Sequence, residues 1–291
     1  MRRLPPTLRR CLAEPRVVCG GALLLFILLV AVFAPLIAPH DPGEQDLLHT
    51  LTPPAWQPDG DWSFPLGTDS LGRDILSRLI YGARVAMRVA VVASLGAAIL
   101  GSVLALIAGY FGGWADWVIG RAVDVWMSFP PVILSLILMV GLGAGLNNVI
   151  LAIVVVDWTR FCRVVRSEVL TVARRDYIPA ARLAGFTHVQ VIVKEILPAV
   201  APLLLTLFSI EMGIAVIVEA ILSFVGLSVE PNVPAWGVMI ADARQYMYEA
   251  PTGLIVPVLG IFVTVLAANL LGDGLRRSID PRLTQRVAVV R

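Results

Sequence analysis

A single lysine, Lys194, stands in the whole 291-residue sequence, and it follows Val193 rather than a glycine. A phosphate-cradling P-loop needs a lysine directly after glycine to reach the terminal phosphates, so this chain holds no ATPase site of that kind. Histidine is almost as scarce: His40, His49 and His188 are the only three, and no pair has zinc-ligand spacing. The cysteines Cys11, Cys19 and Cys162 lack metal spacing too and read as lone thiols at membrane level rather than a disulfide framework. No nucleophile elbow of the G-x-S-x-G type is present. These absences argue against an enzyme, against a metal centre and against a cofactor held by this chain. A net charge of +2 is too small to imply nucleic-acid binding.

Charge itself is thin. Only 15% of residues are charged and 58% are hydrophobic, against about 25% and about 45–50% in soluble domains. With a mean hydropathy of +0.83, the chain reads as an all-α, polytopic membrane protein. Six apolar runs stand out, at 17–37, 89–111, 122–142, 149 to about 161, 200–225 and 254–271. The first is longer than a signal-peptide core and lacks a small-residue cleavage site, so it reads as a span. Six spans leave both termini on one side. With that side cytoplasmic, 18 of the 23 basic residues face inward and only Arg73, Arg78, Arg84, Arg88 and Arg244 face outward, as the positive-inside rule requires. The chain divides into 1–82 (tail, first span and outer loop), 83–275 (the core, with a cytoplasmic segment at about 176–198) and a 276–291 cytoplasmic tail.

Asp157, Glu211 and Glu219 fall in or near predicted spans, where charge is costly unless it faces a cavity or partner, so they are candidate pathway residues. Eight residues apart, Glu211 and Glu219 lie about 80° around a helix and can share a broad face, with Ser223 one turn beyond Glu219. Arg84 and Arg88 are expected to snorkel to the outer interface. Trp114, Trp117, Trp126 and Trp236 read as interfacial anchors.

The 176–198 segment departs from the membrane pattern. Val189, Ile192, Val193 and Ile196 recur at i, i+3, i+4 and i+7, predicting one apolar helical face with Gln190 opposite. Asp176 is an expected N-cap, Gly185 an expected break, and Pro198 the expected turn into the next span. Ala180, Ala181 and Ala184 leave a small surface that a partner can approach closely. Such a segment suits either a headgroup-level helix or insertion into a groove on a soluble partner.

Ala180-Ala181, with Gly185 after three residues and Leu197-Pro198 further on, resembles the EAA loop of membrane permeases in ATP-binding-cassette importers, which docks on the ATPase subunits. The family pattern has Glu before the alanines and Ile two residues before Leu-Pro, where this chain has Pro179 and Glu195. The sequence from Phe64 through Gly67-Thr-Asp-Ser-Leu-Gly-Arg-Asp74 to Arg84 is similar to the segment before the second span in the C-type subunit of dipeptide, oligopeptide and nickel importers. Glu219-Ala-Ile-Leu-Ser-Phe-Val-Gly-Leu227, with Pro231 and Pro234-Ala-Trp-Gly237, is similar to that subunit's fifth-span end and following loop.

The resemblance implies a type I importer permease fold in the bacterial inner membrane, forming half of a pore for di- or oligopeptides. It implies a homologous B-type permease, two ATPase subunits that bind the ATP and Mg, and a periplasmic or lipid-anchored substrate-binding protein. Pro179, Ala180, Ala181, Ala184, Gly185, Leu197 and Pro198 would carry the ATPase coupling. A nickel or other small-solute importer is the alternative within the class; a proton-coupled secondary transporter with Glu211 and Glu219 as relay is the alternative outside it.

Overall fold

A backbone inside a bilayer must satisfy its own hydrogen bonds, and the chain does so with helices. In a computed structural model the described residues are 11–230 and 232–279. Arg2, Arg3, Arg9 and Arg10, Pro231, and the tail from Asp280 with Arg282, Arg286 and Arg291 lie outside them. The helices are α1 (Pro15–Ile37), α2 (Ile75–Phe111), α3 (Gly113–Met127), α4 (Pro131–Leu142), α5 (Leu146–Ala173), α6 (Tyr177–Leu183), α7 (His188–Phe224), α8 (Trp236–Ala243) and α9 (Thr252–Ile279). Among the described residues, extended pairing is limited to one isolated bridge, Thr68 to Asp74. Four helices, α1, α2, α7 and α9, are long and apolar enough to cross a membrane, and the bent pair α3–α4 makes a fifth.

Several boundaries differ from the sequence expectation. The second span does not start near residue 89: Asp74 caps α2 by accepting from the backbone N–H of Leu76 (3.2 Å) and Ser77 (3.0 Å). Arg78, Arg84 and Arg88 are therefore helix residues, and residue 82 lies inside a 37-residue helix about 55 Å long. The third span is broken, not continuous. Pro130 and Pro131 cannot donate to the ladder, and the chain bends by 89° between α3 and α4. The expected fourth span is α5, which runs to Ala173; its length suffices to cross, but Asp157, Arg160, Arg163, Arg166 and Glu168 dilute its hydropathy.

The chain does not turn at Pro198 either. α7 is continuous from His188, with a π turn at Ile192–Ile196 in which the Leu197 N–H reaches back five residues to the Ile192 carbonyl. That wider turn directly precedes Pro198, so the helix meets the proline, which has no N–H to give to the ladder, at its π turn rather than in a regular α-helical turn.

α2 packs closely against α5 through small residues. Ala93, Ala97, Ala105 and Ala108 are fully buried, and a Cβ on Gly101 would stand 2.6 Å from Phe161 Cβ and against the Trp158 carbonyl. Gly101→Ala is expected to cost about 1–3 kcal/mol by overpacking this seam. Gly120, with open space around it, supplies the control. Thermal denaturation of the detergent-solubilised chain should show a lowered midpoint for Gly101→Ala and none for Gly120→Ala.

Candidate coupling segment and buried charge sites

At one end of the bundle α6 and the start of α7 form a hinge with both halves capped. The Gly185 N–H donates to the Arg182 carbonyl (3.0 Å) and the Phe186 N–H to the Ala181 carbonyl (3.1 Å), a Schellman motif with Gly185 at φ +92°. Two residues on, Thr187 and Gln190 form a capping box: the Gln190 N–H donates to Thr187 Oγ1 (3.3 Å), and the Thr187 N–H to Gln190 Oε1 (2.9 Å). Gln190 is thus part of the hinge rather than a bystander, whereas Asp176 makes no side-chain cap.

The hinge is tied to α2. Arg182 donates to the Phe186 carbonyl (2.9 Å) and to His188 Nε2 (3.0 Å). Arginine can only donate, so Nε2 accepts and Nδ1–H faces the Tyr110 oxygen at 2.9 Å. Lys194, the lone lysine, lies 5.6 Å from the Phe186 ring centroid.

The π turn changes which side of α7 is buried. Val191 and Ile196, one five-residue turn apart, are both buried with Ile178 and Val200. Val189 and Val193, expected to share one apolar face with Ile192 and Ile196, are 68% and 52% exposed while Ile196 is buried, and Leu183 on α6 is 90% exposed. An apolar ridge therefore projects from the hinge. Pro179, Ala180, Ala184, Gly185 and Pro198 are at the surface; Ala181 and Leu197 are turned inward against the Ile178–Val191 cluster. The three alanines do not form one surface.

The buried carboxylates occupy two separate places. Glu211 and Asp157 flank Arg160, whose guanidinium is 3.3 Å from Glu211 Oε2 and 3.6 Å from Asp157 Oδ1, bridging α5 and α7. Glu219 instead accepts from Ser223 (2.5 Å) and Ser228 (3.3 Å) on one oxygen, while the Ser228 carbonyl accepts the Gly145 N–H (2.7 Å). Glu211 and Glu219 are both buried on the regular helical part of α7, and each serves a different neighbour. Arg160 is the functional candidate that the sequence reading missed: it stands at the end of the expected fourth span and counts there only toward the inward basic residues. Its i+3 spacing from Asp157 was the available signal.

At the opposite end, the 64–84 stretch is a knot of charge. Asp69 pairs with Arg73 (2.7 Å) and Arg78, and Asp242 on α8 pairs with the same two arginines (2.9 and 3.5 Å). Trp236 is not an interfacial anchor: it is 4% exposed, donates its indole N–H to the Leu79 carbonyl (3.0 Å) and sits between Gly82 and Gly260. Trp126 likewise turns inward, donating to the Val155 carbonyl (2.6 Å), whereas Trp114 and Trp117 are exposed, as anchors would be.

An apolar helix bundle with an exposed, doubly capped helical bend at one end and a charge-stitched loop at the other is the architecture of a polytopic membrane protein. The sequence profile of the binding-protein-dependent transport system inner membrane component matches residues 101–285, and that of the N-terminal TM domain of oligopeptide transport permease C matches residues 7–54. The chain belongs to the binding-protein-dependent transport inner membrane components, the permease subunits of ATP-binding-cassette importers. It is 40% identical over 265 residues to the di/tripeptide transport system permease of Pseudomonas aeruginosa, covering 91% of this chain and 88% of that one. It is 37% identical over 278 residues to the glutathione transport system permease of Pectobacterium atrosepticum (94% and 90% covered) and 40% identical over 261 residues to the nickel transport system permease of Escherichia coli K12 (90% and 92%). Such a subunit works with ATPase and substrate-binding partners.

Proposed function

We propose that the chain is the C-type half of a peptide importer, crossing the membrane six times through α1, α2, the bent pair α3–α4, α5, α7 and α9, with both termini and the hinge in the cytoplasm. A homologous B-type permease completes the pore, two ATPase subunits bind ATP and Mg and supply the energy, and a periplasmic or lipid-anchored binding protein delivers the solute. The chain holds no cofactor and hydrolyses nothing. The observation that carries this reading is the hinge: Leu183, Val189 and Val193 project from a doubly capped bend whose second arm continues without interruption into a crossing helix. An ATPase that grips the ridge moves α7 as a rod, and the two nucleotide states bias the bundle because each makes different contacts with it. Pro179, Ala180, Ala184, Gly185 and Pro198 form the docking surface, with Ala181 and Leu197 supporting it from inside.

The Asp157–Arg160–Glu211 bridge is the proposed pathway element, poised between α5 and α7; Glu219 braces the end of α7 against the following loop. This division disfavours a proton relay through Glu211 and Glu219, whose partners are distinct. Two of the three relatives above are named for peptide solutes, which supports peptides over nickel. Topology is tested by single cysteines at Asp59 and at Ala184 in a background with the native cysteines replaced by serine. An impermeant thiol reagent on intact cells is expected to label the first at once and the second only after lysis; the reverse pattern overturns the orientation.

A further inference from the structure

α1 and α2 do not close against each other along their whole length. Between them lies a groove of about 630 Å³, within the range of about 300–1,000 Å³ typical of pockets for one small amphiphilic ligand. Its walls are apolar, with Leu28 and Val32 from α1 and Val91 and Val92 from α2, and Leu28, Val32 and Val92 are exposed. Two cations, Arg84 and Arg88, line the same groove. Among the described residues neither has a carboxylate within ion-pair distance, unlike their neighbours Arg73 and Arg78. Arg88 donates only to Asn147 Oδ1 (3.2 Å), and Arg84 lies over the Tyr81 ring.

The position of this pair decides what could neutralise it. Just past the end of α1, the His40 N–H donates to Ser77 Oγ (3.0 Å), so α1 ends level with the first turn of α2. Arg84 and Arg88 therefore sit about two and three turns inward from that end, within the part of the bundle that the lipid-facing α1 spans. Side chains on a helix lean toward its N-terminus, and the N-terminus of α2 is this end, so both guanidinium groups reach toward the headgroup layer. An unpaired charge at this depth demands an anion or water. A free ion would leave the apolar walls below uncovered, whereas a phospholipid satisfies both halves of the groove, phosphate above and hydrocarbon beneath.

We propose that Arg84 and Arg88 hold the phosphate of a membrane phospholipid whose acyl chain lies in the groove between α1 and α2. The guanidinium groups donate to the phosphate oxygens, which matches their planar donor geometry, and the chain fills the space beside Leu28 and Val32, joining α1 to α2 where side chains do not. The proposal rests on α1 and α2 crossing the membrane and is independent of the transported solute.

Native mass spectrometry of the full-length chain in uncharged detergent, titrated with dioleoyl phosphatidylglycerol, tests it. One lipid should be retained, with dioleoylglycerol, which lacks the phosphate, and inorganic phosphate, which lacks the chains, each bound at least tenfold more weakly. Arg84→Gln/Arg88→Gln should weaken phosphatidylglycerol at least tenfold, Arg84→Lys/Arg88→Lys less, and Val32→Trp, which fills the groove without altering charge, should also expel it. The lysine and tryptophan variants keep the test valid should the glutamine variant misfold. Unchanged lipid retention by a folded glutamine or tryptophan variant overturns the proposal. So does capture of a partner membrane helix or of transported peptide, instead of lipid, by a photoreactive residue at position 32 in the assembled transporter.

Discussion

Arg78→Ala is expected to destabilise the protein by about 3 kcal/mol, the lower end of the usual cost of breaking a buried ion pair, because Asp69 and Asp242 are left to share Arg73 alone. Arg78 is 2% exposed and pairs with both Asp69 and Asp242. Asp69 also accepts the backbone N–H groups of Leu71 and Arg73, so its carboxylate organises the turn before α2, and Asp242 extends the cluster to α8. Loss of Arg78 should loosen the loop and α8 together. The expected readout is a lower denaturation midpoint and faster proteolysis between residues 38 and 74, with the hinge end unaffected. Glu249→Ala, at an exposed residue with no ion pair among the described residues, should leave the midpoint within a degree or so, as surface substitutions do within about 0.5 kcal/mol.

Gly185→Val is expected to uncouple transport while the chain still inserts and folds. Nothing lies within 4 Å of a Cβ at this position, so the substitution creates no clash; its penalty is conformational. A left-handed backbone costs an L-residue roughly 1–2 kcal/mol, with β-branched residues at the unfavourable end. Escape from φ +92° would break the bonds from Gly185 to Arg182 and from Phe186 to Ala181 and swing α6 away from α7. That strain corresponds to about 5- to 30-fold weaker ATPase association, and ATP-driven uptake should fall at least as far. Gly185→Asn, which tolerates the left-handed region, should retain most of both. Ala181→Arg is a poorer probe of docking than Ala184→Arg, because Ala181 supports the hinge from inside.

The helices were legible in the sequence wherever hydropathy alone decides. α1 matches its apolar run almost to the residue, and the break at Gly185 followed from the one residue type that enters the left-handed region freely. What the sequence hid was decided by particular contacts. A regular 3.6-residue period placed Val189, Ile192, Val193 and Ile196 on one face of α7, but the π turn at Ile192–Ile196 adds a residue to the turn, so that Ile196 is buried while Val189 and Val193 are exposed. Hydropathy joined 122–142 into one span because it ignores the missing donors of Pro130 and Pro131. The fourth span looked short because charge was read as loop, although Arg160 bridges Asp157 and Glu211 between α5 and α7. Trp236 looked like an anchor because its partners, Gly82 and Gly260, are distant in sequence and identifiable only once folded.

A photoreactive residue at Leu183, the most exposed apolar side chain of the hinge, tests the central claim most directly when placed in the assembled transporter in membranes. The expected result is a crosslink from position 183 to an ATPase subunit, lost in Gly185→Val and kept in Gly185→Asn. Crosslinking to lipid alone, with the ATPase subunits present and active, would show that the segment is an interfacial helix and contradict the coupling role.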